Sequence, residues 1–110
     1  MILIIREPAT PEQIAVMSAA FGGILIKLAV DVERGVLAGG GELHAECEQV
    51  LLEDGSRQED IWGADWYLHT REIGLEALIN IRPRQQNYGM EIQNPELRAR
   101  VEAIIRRLLG

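Results

Sequence analysis

The sequence predicts an α+β fold: three helices interrupting a largely antiparallel sheet of about five strands, in the order β-α-β-β-α-β-β-α. Three observations carry this. The hydrophobic period switches between two residues and 3.6 along the chain. Two pairs of strand-like runs are joined by short polar turns, Glu33-Arg34-Gly35 and His69-Thr70-Arg71-Glu72. Two helix starts place Pro directly after a capping residue, at Thr10-Pro11 and Asn94-Pro95. At 110 residues the chain supports one domain, residues 1–110, with one core.

Met1 to Ile5 is short, apolar and β-branched, as a buried strand is, and Arg6-Glu7-Pro8 ends it. Thr10, Pro11 and Gln13 make a capping box, with Ile14, Met17 and Phe21 forming one apolar helix face that Gly22-Gly23 closes. From Ile24 to Val32 the period is two. One face is uniformly apolar and the other mixes Leu25, Lys27, Ala29 and Asp31; Val36 to Ala38 begins the return strand. Gly39-Gly40-Gly41 marks a bend. Residues 42–53 then read as a helix through Leu43, Cys47, Val50 and Leu51, stopped by Asp54-Gly55, although Glu42, His44, Glu46 and Glu48 also alternate as a strand would.

Gln58 to Leu68 returns to strand, with Trp62, Ala64, Trp66 and Leu68 sharing a face that suits a core or dimer contact. Ile73, Leu75, Ala77, Ile79 and Ile81 alternate apolar to polar and predict a partner strand, completing a second hairpin. Arg82-Pro83-Arg84 cannot continue as a central strand, and Gln85 to Met90 is a polar loop. The last helix, capped by Asn94, carries Leu97, Val101, Ile104, Ile105 and Leu108 as its apolar stripe.

Composition narrows the function classes. The net charge is −6, with four basic and twelve acidic residues in 1–70 against seven and five in 71–110. An acidic chain without a basic stripe lacks the footprint of phosphate-backbone binding, so nucleic acid is an unfavoured partner. The longest apolar run, Phe21 to Val32, is interrupted by Lys27 and two glycines, too short for a membrane span. The apolar start has no basic region before it and no cleavage site, and a lone Cys47 builds no disulfide framework; both point to the cytoplasm. No phosphate-loop motif follows the glycines, and neither His-Glu-x-x-His nor a Cys/His cluster is present, so no cofactor and no metal are expected.

The polar residues on otherwise apolar elements are the candidates for chemistry. In a helix, His44 and Glu48 are i, i+4 neighbours, and a carboxylate beside an imidazole raises its pKa or fixes its tautomer. Lys27 and Asp31 share one strand face, Asn80 and Arg82 another. If the hairpins meet in one sheet, these groups converge on one open surface with His44 at its rim, suited to anion recognition, acid/base chemistry or an inert salt-bridge network.

The runs LAVDVERG (28–35), GGELHAE (40–46), LLEDGSRQEDIWG (51–63) and LINIRPRQ (78–85) resemble a family of small bacterial proteins, frequent in photosynthetic bacteria, described only as a domain of unknown function. The resemblance spans almost the whole chain. Its pattern singles out Asp31, Glu42, His44, Gly55, Ser56, Gln58, Asp60, Trp62, Gly63, Asn80, Arg82 and Pro83. Where the family pattern continues with Asn followed by Arg-Ser, this chain has Asn87 followed by Tyr88-Gly89. The resemblance implies no activity and points to the same polar residues.

The leading expectation is a homodimeric module that binds a small anionic ligand or a protein partner through Asp31, His44, Asp60, Asn80, Arg82 and Arg84. The alternative is a small hydrolase or nuclease-like enzyme, with His44 and Glu42 or Glu48 as its acid/base pair and Arg82 with Arg84 holding a phosphate. A toxin/antitoxin-type partner protein is compatible with the size alone.

Overall fold

The computed structural model describes residues 1–110. It contains five strands, β1 (Leu3–Ile5), β2 (Leu25–Asp31), β3 (Val36–Gly39), β4 (Ile61–Tyr67) and β5 (Ile73–Gly74), and three helices, α1 (Pro11–Ser18), α2 (His44–Glu53) and α3 (Pro95–Leu108). The strands form one antiparallel sheet in the order β1-β3-β2-β4-β5, so the α+β expectation stands. No helix is long and apolar enough to cross a membrane.

Local signals act where they were read. Thr10 Oγ1 accepts the Gln13 N–H at 3.2 Å while Gln13 Oε1 accepts the Thr10 N–H at 2.9 Å, closing the capping box of α1. Asn94 Oδ1 accepts the Leu97 N–H at 3.0 Å at the start of α3. Within residues 42–53, His44–Glu53 form the helix. Glu42 lies just before it, and Glu46 Oε1 turns back to accept the N–H groups of Glu42 and Leu43 at 2.9 and 3.0 Å.

The alternation in β2 sorts the core into two layers. Ile26, Leu28 and Val30 join Trp62, Ala64 and Trp66 beneath α1 and α3. Ala29, on the other side, joins Val36, Ala38 and Ile61 beneath Cys47 and Leu51 of α2. The small residues of this second face let α2 sit close to the sheet. Trp62 and Trp66 are both core residues, 3% exposed, so their apolar faces are spent inside the chain.

One predicted element is corrected. The strand read over Ile73 to Ile81 pairs with β4 only at Ile73 and Gly74; the chain then leaves the sheet, and Leu78–Asn80 is a turn of 3-10 helix. Asn80 causes the departure. Its Oδ1 accepts the Gly63 N–H at 2.7 Å and its Nδ2 donates to the Gly63 carbonyl at 3.0 Å, so one side-chain amide takes the place of a strand residue against β4. A Cβ on Gly63 would lie 2.5 Å from the Ala77 Cβ, and only glycine lets the segment lie this flat. Leu75 and Ala77 are buried by this packing, whereas Leu78 and Ile81 are left exposed.

Candidate functional site

The expected convergence of Asp31, Lys27, Asn80 and Arg82 on one open surface does not occur, because most of these groups are consumed by the chain itself. Asp31 is fully buried. Its Oδ1 accepts the N–H groups of Glu33 and Arg34 across the β2–β3 turn, both at 2.9 Å, and its Oδ2 accepts the Ser56 hydroxyl at 2.6 Å. Arg34 donates in turn to Ser56 Oγ at 2.7 Å and to Asp54 at 2.6 Å, and Arg6 holds both Asp54 oxygens. These two arginines keep the Asp54 carboxyl below the usual carboxylate range.

Asn80 is also fully buried, and besides Gly63 its Nδ2 reaches the Met90 carbonyl at 3.1 Å. Arg82 uses all five of its N–H groups: Nε on the Ile79 carbonyl, Nη1 on Gln58 O and Gln85 Oε1, and Nη2 on Ile61 O and Glu48 Oε2. Its guanidinium also lies 4.9 Å from the Trp62 ring centre. Loss of hydration is the leading influence on both partners of the Glu48–Arg82 pair, raising the Glu48 pKa and lowering that of Arg82; the opposite charge offsets each in part. Glu48 therefore faces Arg82, and the pair with His44 that their helical spacing suggested is not made.

Asp60 lies apart, half-buried in a groove with Glu33, Glu59 and Glu96. Burial raises its pKa, and the nearby Asp31 charge adds to the shift. Arg84 is exposed and unpaired beside Pro83 and Gln85, lining an open groove of about 620 Å³. The Glu42 side chain points into solvent without a partner. Asn87, the point of departure from the family pattern, is buried and donates to the Asn80, Gly89 and Glu91 carbonyls, so its own hold on the loop is intact.

His44 finds a different partner. It is the first residue of α2, and its Nε2 lies 2.8 Å from Asp65 Oδ1 of β4, with side chains 13% and 19% exposed. With the carboxylate accepting, Nε2 is the donor of this contact. Nδ1 has no partner in the chain, yet no buried side-chain nitrogen or oxygen is left unsatisfied, so this atom meets solvent. His44 lines a cleft of about 380 Å³, between the start of α2 and residues 76–79.

Lys27, directly opposite Asp65 in the β2–β4 register, and Glu76 also line this cleft. The Lys27 ammonium lies 5.2 Å from the Phe21 ring centre and makes no ion pair. Leu43, Leu78 and Met90 form an apolar rim, exposed by 58%, 73% and 43%. Asp65 and Glu76 escaped the reading of the sequence. They lie 21 and 32 positions beyond His44, and only the β2–β4 register, with Lys27 facing Asp65, carried a signal. No group of three or more His, Cys, Asp and Glu side chains is placed to hold a metal ion.

No curated protein and no solved structure matches the chain. A family profile does, over residues 3–108, in agreement with the resemblance carried by the 28–35, 40–46, 51–63 and 78–85 motifs. The chain belongs to the family described as protein of unknown function DUF5674.

Proposed function

We propose that the protein binds a small ligand bearing a carboxylate or phosphate group in the cleft beside His44. The observation that carries this is Lys27, which lines the cleft beside the His44–Asp65 pair and makes no ion pair of its own. Leu43, Leu78 and Met90 suit the apolar part of the ligand, and the cleft volume falls in the range of small-molecule sites. Of the residues expected to bind, His44 belongs to this cleft, and Arg84 is free to meet an anion in its own groove. Asp31, Asn80 and Arg82 support the scaffold.

A second reading, hydrolysis, is favoured by the same pair. A carboxylate that fixes the imidazole tautomer leaves the other nitrogen as a general base, with Asp65 in the role expected of Glu42 or Glu48. No Ser, Thr or Cys lines the cleft, so water is the nucleophile this reading requires. The exposed Leu43, Leu78 and Tyr88 also support the homodimer reading, checked by sedimentation at micromolar concentration. The lone, buried Cys47 supports a reducing, cytoplasmic setting.

The test of binding is thermal unfolding of the parent, His44→Ala and Lys27→Met against short-chain carboxylates and phosphate monoesters. A ligand at ~100 times its Kd adds about 2.7 kcal/mol. Stabilisation of the parent that both variants lose is the expected result. A panel that stabilises no protein, or all three alike, rejects the reading.

A further inference from the structure

We infer that the ligand of the His44 cleft is a zwitterion, carrying an amine and a carboxylate on a short aliphatic frame. This rests on the ligand-binding reading above and adds the second charge. The cleft is lined by two side chains of opposite charge that make no ion pair. Lys27 and Glu76 both line it, and neither takes part in any ion pair of the structure, with each other or with a third residue. The third charge, Asp65, is already engaged by His44 at 2.8 Å.

The register explains why the two do not meet. Lys27 on β2 faces Asp65 on β4, Asp65 faces Gly74 on β5, and Glu76 follows two residues later. Glu76 therefore lies on the segment that has left the sheet, on the far side of Asp65 from Lys27. A plain carboxylate neutralises Lys27 and brings its own charge toward Glu76, a repulsive arrangement. A molecule with an amine at its other end meets Lys27 with its carboxylate and Glu76 with its ammonium. His44 lines the same cleft, and Leu43, Leu78 and Met90 cover the methylenes.

The test compares γ-aminobutyrate and ε-aminocaproate with the acids and amines of the same chain length, butyrate, caproate, butylamine and hexylamine, by calorimetric titration. The zwitterion of the better-fitting length binds about tenfold or more tighter than its plain acid or plain amine, one charge contact of ~1.4 kcal/mol. Glu76→Gln erases the preference over the acid, and Lys27→Met erases the preference over the amine. Equal affinity for zwitterion and acid, unchanged in Glu76→Gln, overturns the inference and leaves the carboxylate site standing. If none of these compounds binds while another carboxylate or phosphate ester does, the inference alone falls. If no compound of either set binds, both readings fall.

Discussion

Asn80 shows how one side chain can decide a local fold. Its amide satisfies the N–H and the carbonyl of Gly63, both inside the protein, and it has no exposed surface of its own. Asn80→Ala leaves that backbone pair without partners, at about 1–3 kcal/mol for each unsatisfied group. Urea unfolding of the variant is expected to show a loss of about 2–4 kcal/mol. Gly63→Ala tests the same contact from the other side, since its Cβ meets Ala77 at 2.5 Å and forces the segment to shift. At Asp54 the effect is one of pH. Hydrogen bonds from Arg34 and Arg6 depress its folded pKa, so its stabilisation is present above the unfolded pKa and is lost as pH falls through the folded one. The Tm gap between the parent and Asp54→Asn is expected to be widest near neutral pH and to close in acid. Glu48 and Asp60, raised by burial, act in the reverse sense, and their protonation on acidification favours the folded chain.

At the scale of the element, the segment from Leu78 to Gln85 is fastened by Arg82 far more than by apolar packing. Arg82→Ala strips hydrogen bonds from three carbonyls and leaves Glu48 a partly buried carboxylate without its cation. About 2–4 kcal/mol of destabilisation is expected, below the ~3–5 of a fully buried pair because both side chains keep some contact with water. Amide exchange gives the specific signature: the N–H groups of Arg82 and Asn87, bonded to each other's carbonyls, lose protection before those of β2 and β4. This segment is also where the sequence was hardest to read. Leu75 and Ala77 alternate with polar residues as in a strand, yet the alternation records packing of a loop over Gly63. The helix starts at Thr10-Pro11 and Asn94-Pro95 were legible because the accepting cap side chain and the N–H that donates to it lie three residues apart. The His44–Asp65 pair was not, because a contact across 21 positions depends on the β2–β4 register, which no local spacing encodes.

The whole molecule is two crossover units, each joining a pair of parallel strands, interleaved in one sheet whose neighbours run antiparallel. The connection from β1 to β2 by way of α1 and that from β3 to β4 by way of α2 each skip one strand in the same direction across the sheet, but start from strands of opposite sense. Crossovers of one hand then place α1 and α2 on opposite faces, as observed. Both layers share β2, so they are expected to melt together. Leu51→Ala, on the face away from both tryptophans, is expected to cost about 2–5 kcal/mol and to move the tryptophan-fluorescence and far-UV dichroism midpoints equally. Separate midpoints contradict a single cooperative unit. The Asn80 amide also bears on how copies of the chain avoid one another in a crowded solution. Past the two residues of β5, β4 has no neighbouring strand, and its outward N–H and carbonyl groups are a template for a strand from another copy. The Asn80 carboxamide plugs that template at Gly63, as Arg82 does at the Ile61 carbonyl, so removing the amide uncovers a sticky margin and favours aggregation over refolding.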